Sequence, residues 1–105
     1  MYIPRAFSQQ TQFSAEVAKA VSGQGPRVLS VTPTFGEDMD GESAVFLQVV
    51  VNDDGVSPVE LLRITRAISW AIVQQVQPLE QWGVLPYFDF HMQASRQADS
   101  EPALA

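Results

Sequence analysis

The chain has 105 residues, 46% of them hydrophobic and 17% charged, with a mean hydropathy near zero. That composition fills one core and offsets its ordering entropy, which excludes wholesale disorder and leaves no room for a second domain of ordinary size. Twelve acidic against six basic residues give a net charge of −6, so most of the surface repels phosphate backbones and nonspecific nucleic-acid binding is disfavoured. Cysteine is absent, which excludes disulfides and thiolate metal sites. No apolar run reaches the roughly 18–20 residues of a membrane span. The start, Met1-Tyr2-Ile3-Pro4-Arg5, has neither the basic segment nor the apolar run of a secretion signal, and the expectation is a cytoplasmic protein with no membrane partner.

The first predicted element is a helix within Ser8–Ser22. Phe13, Val17 and Val21 recur every four residues with Ala20 beside them, an apolar stripe at helical spacing. Ser8 or Ser14 is placed to cap its start, and Gly23 and Pro26 end it. Arg27–Phe35 reads as a strand with Leu29 and Val31 on one face. Pro33 assigns it to a sheet edge or ends it there. The acidic, glycine-bounded stretch Gly36–Gly41 is a loop. Ser43–Val51 is the second strand, with Val45, Leu47, Val49 and Val51 on one face and Phe46, Gln48 and Val50 on the other.

Ser57-Pro58-Val59-Glu60 joins an N-cap serine, proline at the first helical position and glutamate at N3. A helix therefore starts here and runs to about Gln77, where Pro78 stops it. Leu79–Pro86 is a connector or a short turn of helix. Tyr87–Met92 alternates as a third strand, Phe88, Phe90 and Met92 against Tyr87, Asp89 and His91.

The order is α-β-β-α-β, an α+β fold: a three-stranded sheet with the helices on one face, the third strand parallel to one hairpin strand. Residues 1–93 form one domain and 94–105 a flexible tail. Leu29, Val31, Val45, Leu47, Val49, Phe88 and Phe90 are expected to meet Phe13, Val17, Leu61, Ile64, Ile68 and Ile72 in the core.

The element order and the closing Pro86-x-Phe88-x-Phe90 strand resemble those of type II KH domains across most of residues 8–92. The resemblance implies an RNA- or ribosome-associated factor. The chain lacks a Gly-x-x-Gly loop between helices and the basic surface that nucleic-acid binding needs.

Three patterns invite chemistry. Placing Gly41 sixth in an EF-hand frame puts Gly36 first and Leu47 twelfth. Neither donates an oxygen ligand, so a solvated hairpin tip is the plainer account of Glu37–Glu42. Gly23-x-Gly25 follows a helix and precedes a strand, the reverse of a phosphate loop. Asp89 and His91 share one sheet face with Tyr87, and an Asp–His pair is the kernel of many acid–base sites. Adjacent same-face residues on one strand seldom make the direct contact that role requires, and no serine or cysteine stands in a nucleophile setting.

The second long helix carries the most informative constellation. Leu61, Ile64, Ile68, Ile72 and Val76 form its core stripe, and Trp70 falls roughly opposite, among Arg63, Arg66, Gln74 and Gln77. Leu62 and Val73 widen the patch, and Arg66 is one turn from Trp70, placed to lie over its indole. So large an apolar surface is usually covered. The N-terminal segment with Tyr2, Ile3 and Phe7 is one cover, and a second subunit or another protein is the other. The resulting expectation is a non-enzymatic protein-interaction domain, a homodimer or the binder of another protein, with no cofactor or metal. A KH-like RNA factor and a small enzyme using Asp89 and His91 are the alternatives.

Overall fold

In the computed structural model, residues 3–93 are described. Tyr2 and the predicted tail, 94–105, lie outside them. The elements in chain order are helix α1 (Arg5–Ser8), helix α2 (Gln10–Ser22), strand β1 (Val28–Glu37), strand β2 (Ser43–Val51), helix α3 (Pro58–Val76), helix α4 (Pro78–Trp82) and strand β3 (Leu85–Met92). The sheet order is β1-β2-β3, with β1 antiparallel and β3 parallel to β2. The expected α+β class and element order hold; α4 is the short helical turn that is one of the two readings of Leu79–Pro86, and α1 is an added turn before the first predicted helix.

Neither predicted serine caps α2. Its N-cap is Gln9, with no side-chain hydrogen bond. The Ser8 hydroxyl donates to the Arg5 carbonyl at 3.2 Å, and Ser14 lies inside the helix. Pro4 sets the entry of α1, its carbonyl accepting from the Phe7 amide at 3.0 Å, and the non-helical dihedrals of Gln9 separate the two helices.

The edge position expected from Pro33 is realised: β1 borders the sheet and continues past it to Glu37. One phase of β1 differs from simple alternation. Val28 pairs with Val51 but Ser30 pairs with Val50, so Leu29 is the extra residue of a bulge. The bulge reverses the phase of the strand. Val28 and Val31 both pack on the core, while Leu29, expected inside, is 46% exposed. Beyond the bulge, Val31, Pro33 and Phe35 oppose Val49, Leu47 and Val45.

The Ser57 side chain accepts from the Glu60 amide at 3.2 Å and Pro58 opens α3, the predicted cap. The Glu60 carboxylate does not complete a reciprocal box; it accepts from Arg63 at 3.1 Å. Gln77 adopts a left-handed conformation (φ 52°) and Pro78 prevents the helix from resuming. The chain turns through α4 and then through Gly83 at φ 72° into β3, a dihedral that favours glycine.

α2 and α3 lie on one face of the sheet. Phe13, Val17 and Ala20 of α2 and Ile68, Ile72 and Val76 of α3 close over Val45, Leu47, Val49 and Val51. Trp82 and Val84, in the stretch that reads as a connector, belong to the same core. The Phe13 ring meets Trp82 edge-on at 5.2 Å and Phe35 at 5.6 Å. Among the described residues, α2 and α3 pack on this face and not on the opposite one.

Candidate interaction surface

α3 buries Ile68, Ala71, Ile72 and Val76, which turns the opposite side of the helix to solvent. Trp70 is 68% exposed there. It lines a shallow groove of about 610 Å³ with Thr65, Arg66, Ala67, Ser69 and Val73. The hydroxyls in this groove are spent on their own helix: Ser69 donates to the Thr65 carbonyl at 3.0 Å and Thr65 to the Leu62 carbonyl at 3.1 Å. Such back-bonding occupies the polar atoms, leaving indole, alanine and valine as the contact surface. One turn earlier, Val59, Leu62, Arg63 and Arg66 line a second depression of about 260 Å³. Arg66 borders both.

Of the residues singled out on this helix, the structure brings Trp70, Arg66 and Val73 together in the groove, and Leu62, Arg63 and Arg66 together beside it. Gln74 and Gln77 line neither. Gln77 ends the helix, and its side-chain oxygen accepts from Gln81 at 3.3 Å. Arg63 is paired with Glu60 in a surface ion pair. Arg66 does not lie over Trp70; the cation–π contact among the described residues is between Arg5 and Trp82, 4.0 Å from guanidinium to ring. An arginine and a tryptophan in separate elements carry that interaction, which no local spacing in the sequence reveals.

Among the described residues, Arg5, Ala6 and Phe7 of the N-terminal segment are placed elsewhere than over Trp70. Arg5 sits on Trp82 and donates to the Gln81 carbonyl at 3.3 Å, Ala6 is buried in the core, and Phe7 packs edge-on against Phe35 at 6.0 Å. The segment closes over α4 and the β1 edge instead. The physical reason is proximity: α1 leads directly into α2, whose Phe13 already holds Trp82.

The open sheet face holds the other candidate chemistry. Asp89 and His91 do touch, contrary to expectation from their spacing: His91 Nε2 lies 3.0 Å from Asp89 Oδ2 and 2.9 Å from Gln48 Nε2. A proton on Nε2 directed at Asp89 requires the Gln48 amide to present its oxygen to the ring. Cross-strand Gln48, which stands opposite Asp89 in the register, is thus the third member of a polar cluster that reading one strand at a time does not assemble. None of the grooves described here includes His91 or Asp89, and no nucleophilic side chain bonds to the imidazole.

The β1–β2 hairpin tip is held by Asp38. Its Oδ1 accepts from the amides of Asp40 and Glu42 at 2.9 Å, and Oδ2 accepts from the Tyr87 hydroxyl at 2.7 Å. Tyr87 in turn stacks on Phe46, centroids 5.4 Å apart. The Tyr87 hydroxyl and the turn amides favour the charged carboxylate and hold the Asp38 pKa below its ordinary value. The same carboxylate holds the Tyr87 hydroxyl above its ordinary value by accepting its proton. Met39, at the apex, is 101% exposed. No three metal-ligating side chains converge among the described residues, and no described helix is long and apolar enough to cross a membrane.

Comparison with known protein families, with curated proteins and with solved structures finds no match. The KH resemblance, which rests on element order and the closing Pro86-x-Phe88-x-Phe90 strand, is therefore not confirmed by any match. At the α3–α4 junction, where a KH clamp would need glycines, the chain has Gln77 and Pro78.

Proposed function

We propose that this protein is a small non-enzymatic interaction domain that associates through the outer face of α3, with a second copy of itself as the partner. The observation that carries this reading is Trp70, 68% exposed in an apolar groove while the N-terminal segment is committed to Trp82. Tryptophan and arginine are the residues that most often anchor protein interfaces, and Arg66 borders the groove. A largely exposed indole on a helix loses no backbone entropy when it is covered, so its burial favours association directly.

Light scattering across a concentration series, run with tryptophan emission, tests the reading. The protein has two tryptophans, and Trp82 is already buried, so a change on association reports Trp70. The expected result is a mass that rises with concentration together with a blue shift in emission, both lost in Trp70→Gln. A Trp70→Gln variant that associates like the wild type overturns the assignment to α3.

A further inference from the structure

The groove on α3 has a counterpart elsewhere on the same chain. The hairpin tip carries four of the twelve acidic residues, Glu37, Asp38, Asp40 and Glu42, around the fully exposed Met39. The tip is locked. Besides the two amides bonded to Asp38 Oδ1, the Asp38 amide donates to the Glu42 carbonyl at 2.9 Å and the Gly41 amide to the Asp38 carbonyl at 3.0 Å. Tyr87 then ties this turn to β3. The result is an apolar knob on a rigid, acidic mount.

We infer that Met39 of one copy seats in the Trp70 groove of a second copy, with Asp40 and Glu42 facing Arg66 and Arg63. This rests on the assignment of the α3 face as the association surface and names what occupies it. Methionine is a flexible side chain with a sulfur that packs well on aromatic rings, and the groove offers an indole and Val73. Charge complementarity selects this arrangement over pairing of two α3 faces. Each α3 outer face carries Arg63 and Arg66, while its nearest carboxylate, Glu60, already accepts from Arg63. Two such faces would oppose arginines to arginines, whereas the tip supplies the missing carboxylates.

The contact is also one that a single molecule cannot make with itself. The tip is bonded to Tyr87 on the sheet face opposite α2 and α3, and α3 covers the other face with Trp70 turned away from it. The sheet lies between knob and groove. A contact between two different patches is heterologous, and copies joined this way form a ring or a chain, or a reciprocal dimer in which each inserts its knob into the other.

Complementation tests the inference. Met39→Ser lacks the knob but keeps the groove, and Trp70→Gln lacks the groove but keeps the knob. Both residues project into solvent, so each variant is expected to fold, which circular dichroism verifies. Each alone should associate at least about tenfold more weakly than the wild type. An equimolar mixture should form a one-to-one dimer by light scattering, because one intact knob meets one intact groove. If Met39→Ser associates like the wild type while Trp70→Gln does not, the tip is not the occupant and the α3 assignment stands. If Trp70→Gln associates like the wild type, both fall. A wild type that stays monomeric to about 1 mM also overturns the inference.

Discussion

Phe13 offers a direct measure of how the helices are fastened to the sheet. It is fully buried, and its ring meets the edges or faces of Phe35 and Trp82 in near-perpendicular pairs at 5.6 and 5.2 Å. Replacing a buried phenylalanine by alanine costs about 3–5 kcal/mol, through lost transfer energy and the cavity left behind. Phe13 joins α2, β1 and α4, so the hole cannot close by movement of one element, and the upper half of that range, about 4–5 kcal/mol, is expected. Domains of this size are stable by about 5–15 kcal/mol, so the variant retains a small margin. With a urea dependence of about 2 kcal/mol per molar, the unfolding midpoint falls by about 2 M. Phe13→Leu keeps most of the apolar area and loses the ring geometry, at about 1–2 kcal/mol. Phe46→Ala is the control: it also removes a ring stacked on another, Tyr87, but on the open sheet face, and about 1 kcal/mol is expected. Urea unfolding followed by circular dichroism reads all three. Equal losses for Phe13→Ala and Phe46→Ala would refute the view that α2 and α4 are fastened to β1 through this ring.

Ser57→Ala removes the acceptor of the Glu60 amide and should cost about 1 kcal/mol in the same assay; Ser14→Ala, inside α2 and without a cap role, should stay within about 0.5 kcal/mol. Leu29→Thr, at the exposed bulge, should likewise change stability by under about 0.5 kcal/mol, whereas Val31→Ala should cost about 1–2 kcal/mol; a larger loss at Leu29 would place the bulge elsewhere. The hairpin tip should respond to acid. Asp38 has its pKa lowered in the fold, so its contribution is present above the unfolded carboxylate range and is lost as pH falls through the lower folded value. Protection of the Asp40 and Glu42 amides against exchange, relative to their intrinsic rates, should therefore fall below about pH 4. Tyr87 has its pKa raised, so its contribution persists below the ordinary tyrosine value and is lost as pH rises through the higher folded one. Asp38→Asn should remove the acid response and reduce the alkaline one, since desolvation and the charges of Asp40 and Glu42 also raise Tyr87. Association through Arg66 and the acidic tip should weaken with salt, as the screening length falls from about 10 Å at 0.1 M to about 3 Å at 1 M.

The fold was legible wherever a local rule acts alone. The serine, proline and glutamate at 57, 58 and 60 mark a helix start because cap and ring chemistry operate within one turn, and α3 begins there. The alternation of β2 and β3 is legible because each strand faces the core on one side only. Legibility ends where the outcome depends on a partner strand. Nothing within Arg27–Phe35 marks Leu29 as the extra residue; the bulge exists because Val28 and Val31 must both reach the core while the pairing with β2 slips by one. Trp82 reads as part of a connector because its burial is imposed by Phe13 and Arg5, each more than 65 positions away in the chain.

The same division separates what could be read of the surface. Trp70 stands opposite the core stripe by helical geometry alone, and its exposure follows from the sequence. Its companions depend on more distant placement. Arg66 lies one turn away and still does not stack on the indole, since a side chain with water on every side gains little from holding one rotamer over a ring. Arg5 does stack, because Trp82 is enclosed and the guanidinium also finds the Gln81 carbonyl. The two tryptophans thus differ: Arg5 lies over Trp82, whereas Trp70 is 68% exposed. The acidic tip is braced within its own fold through Asp38 and Tyr87, while its apex, Met39, is left fully exposed. On the proposed association the two surfaces meet between copies, the tip of one against the α3 face of the other.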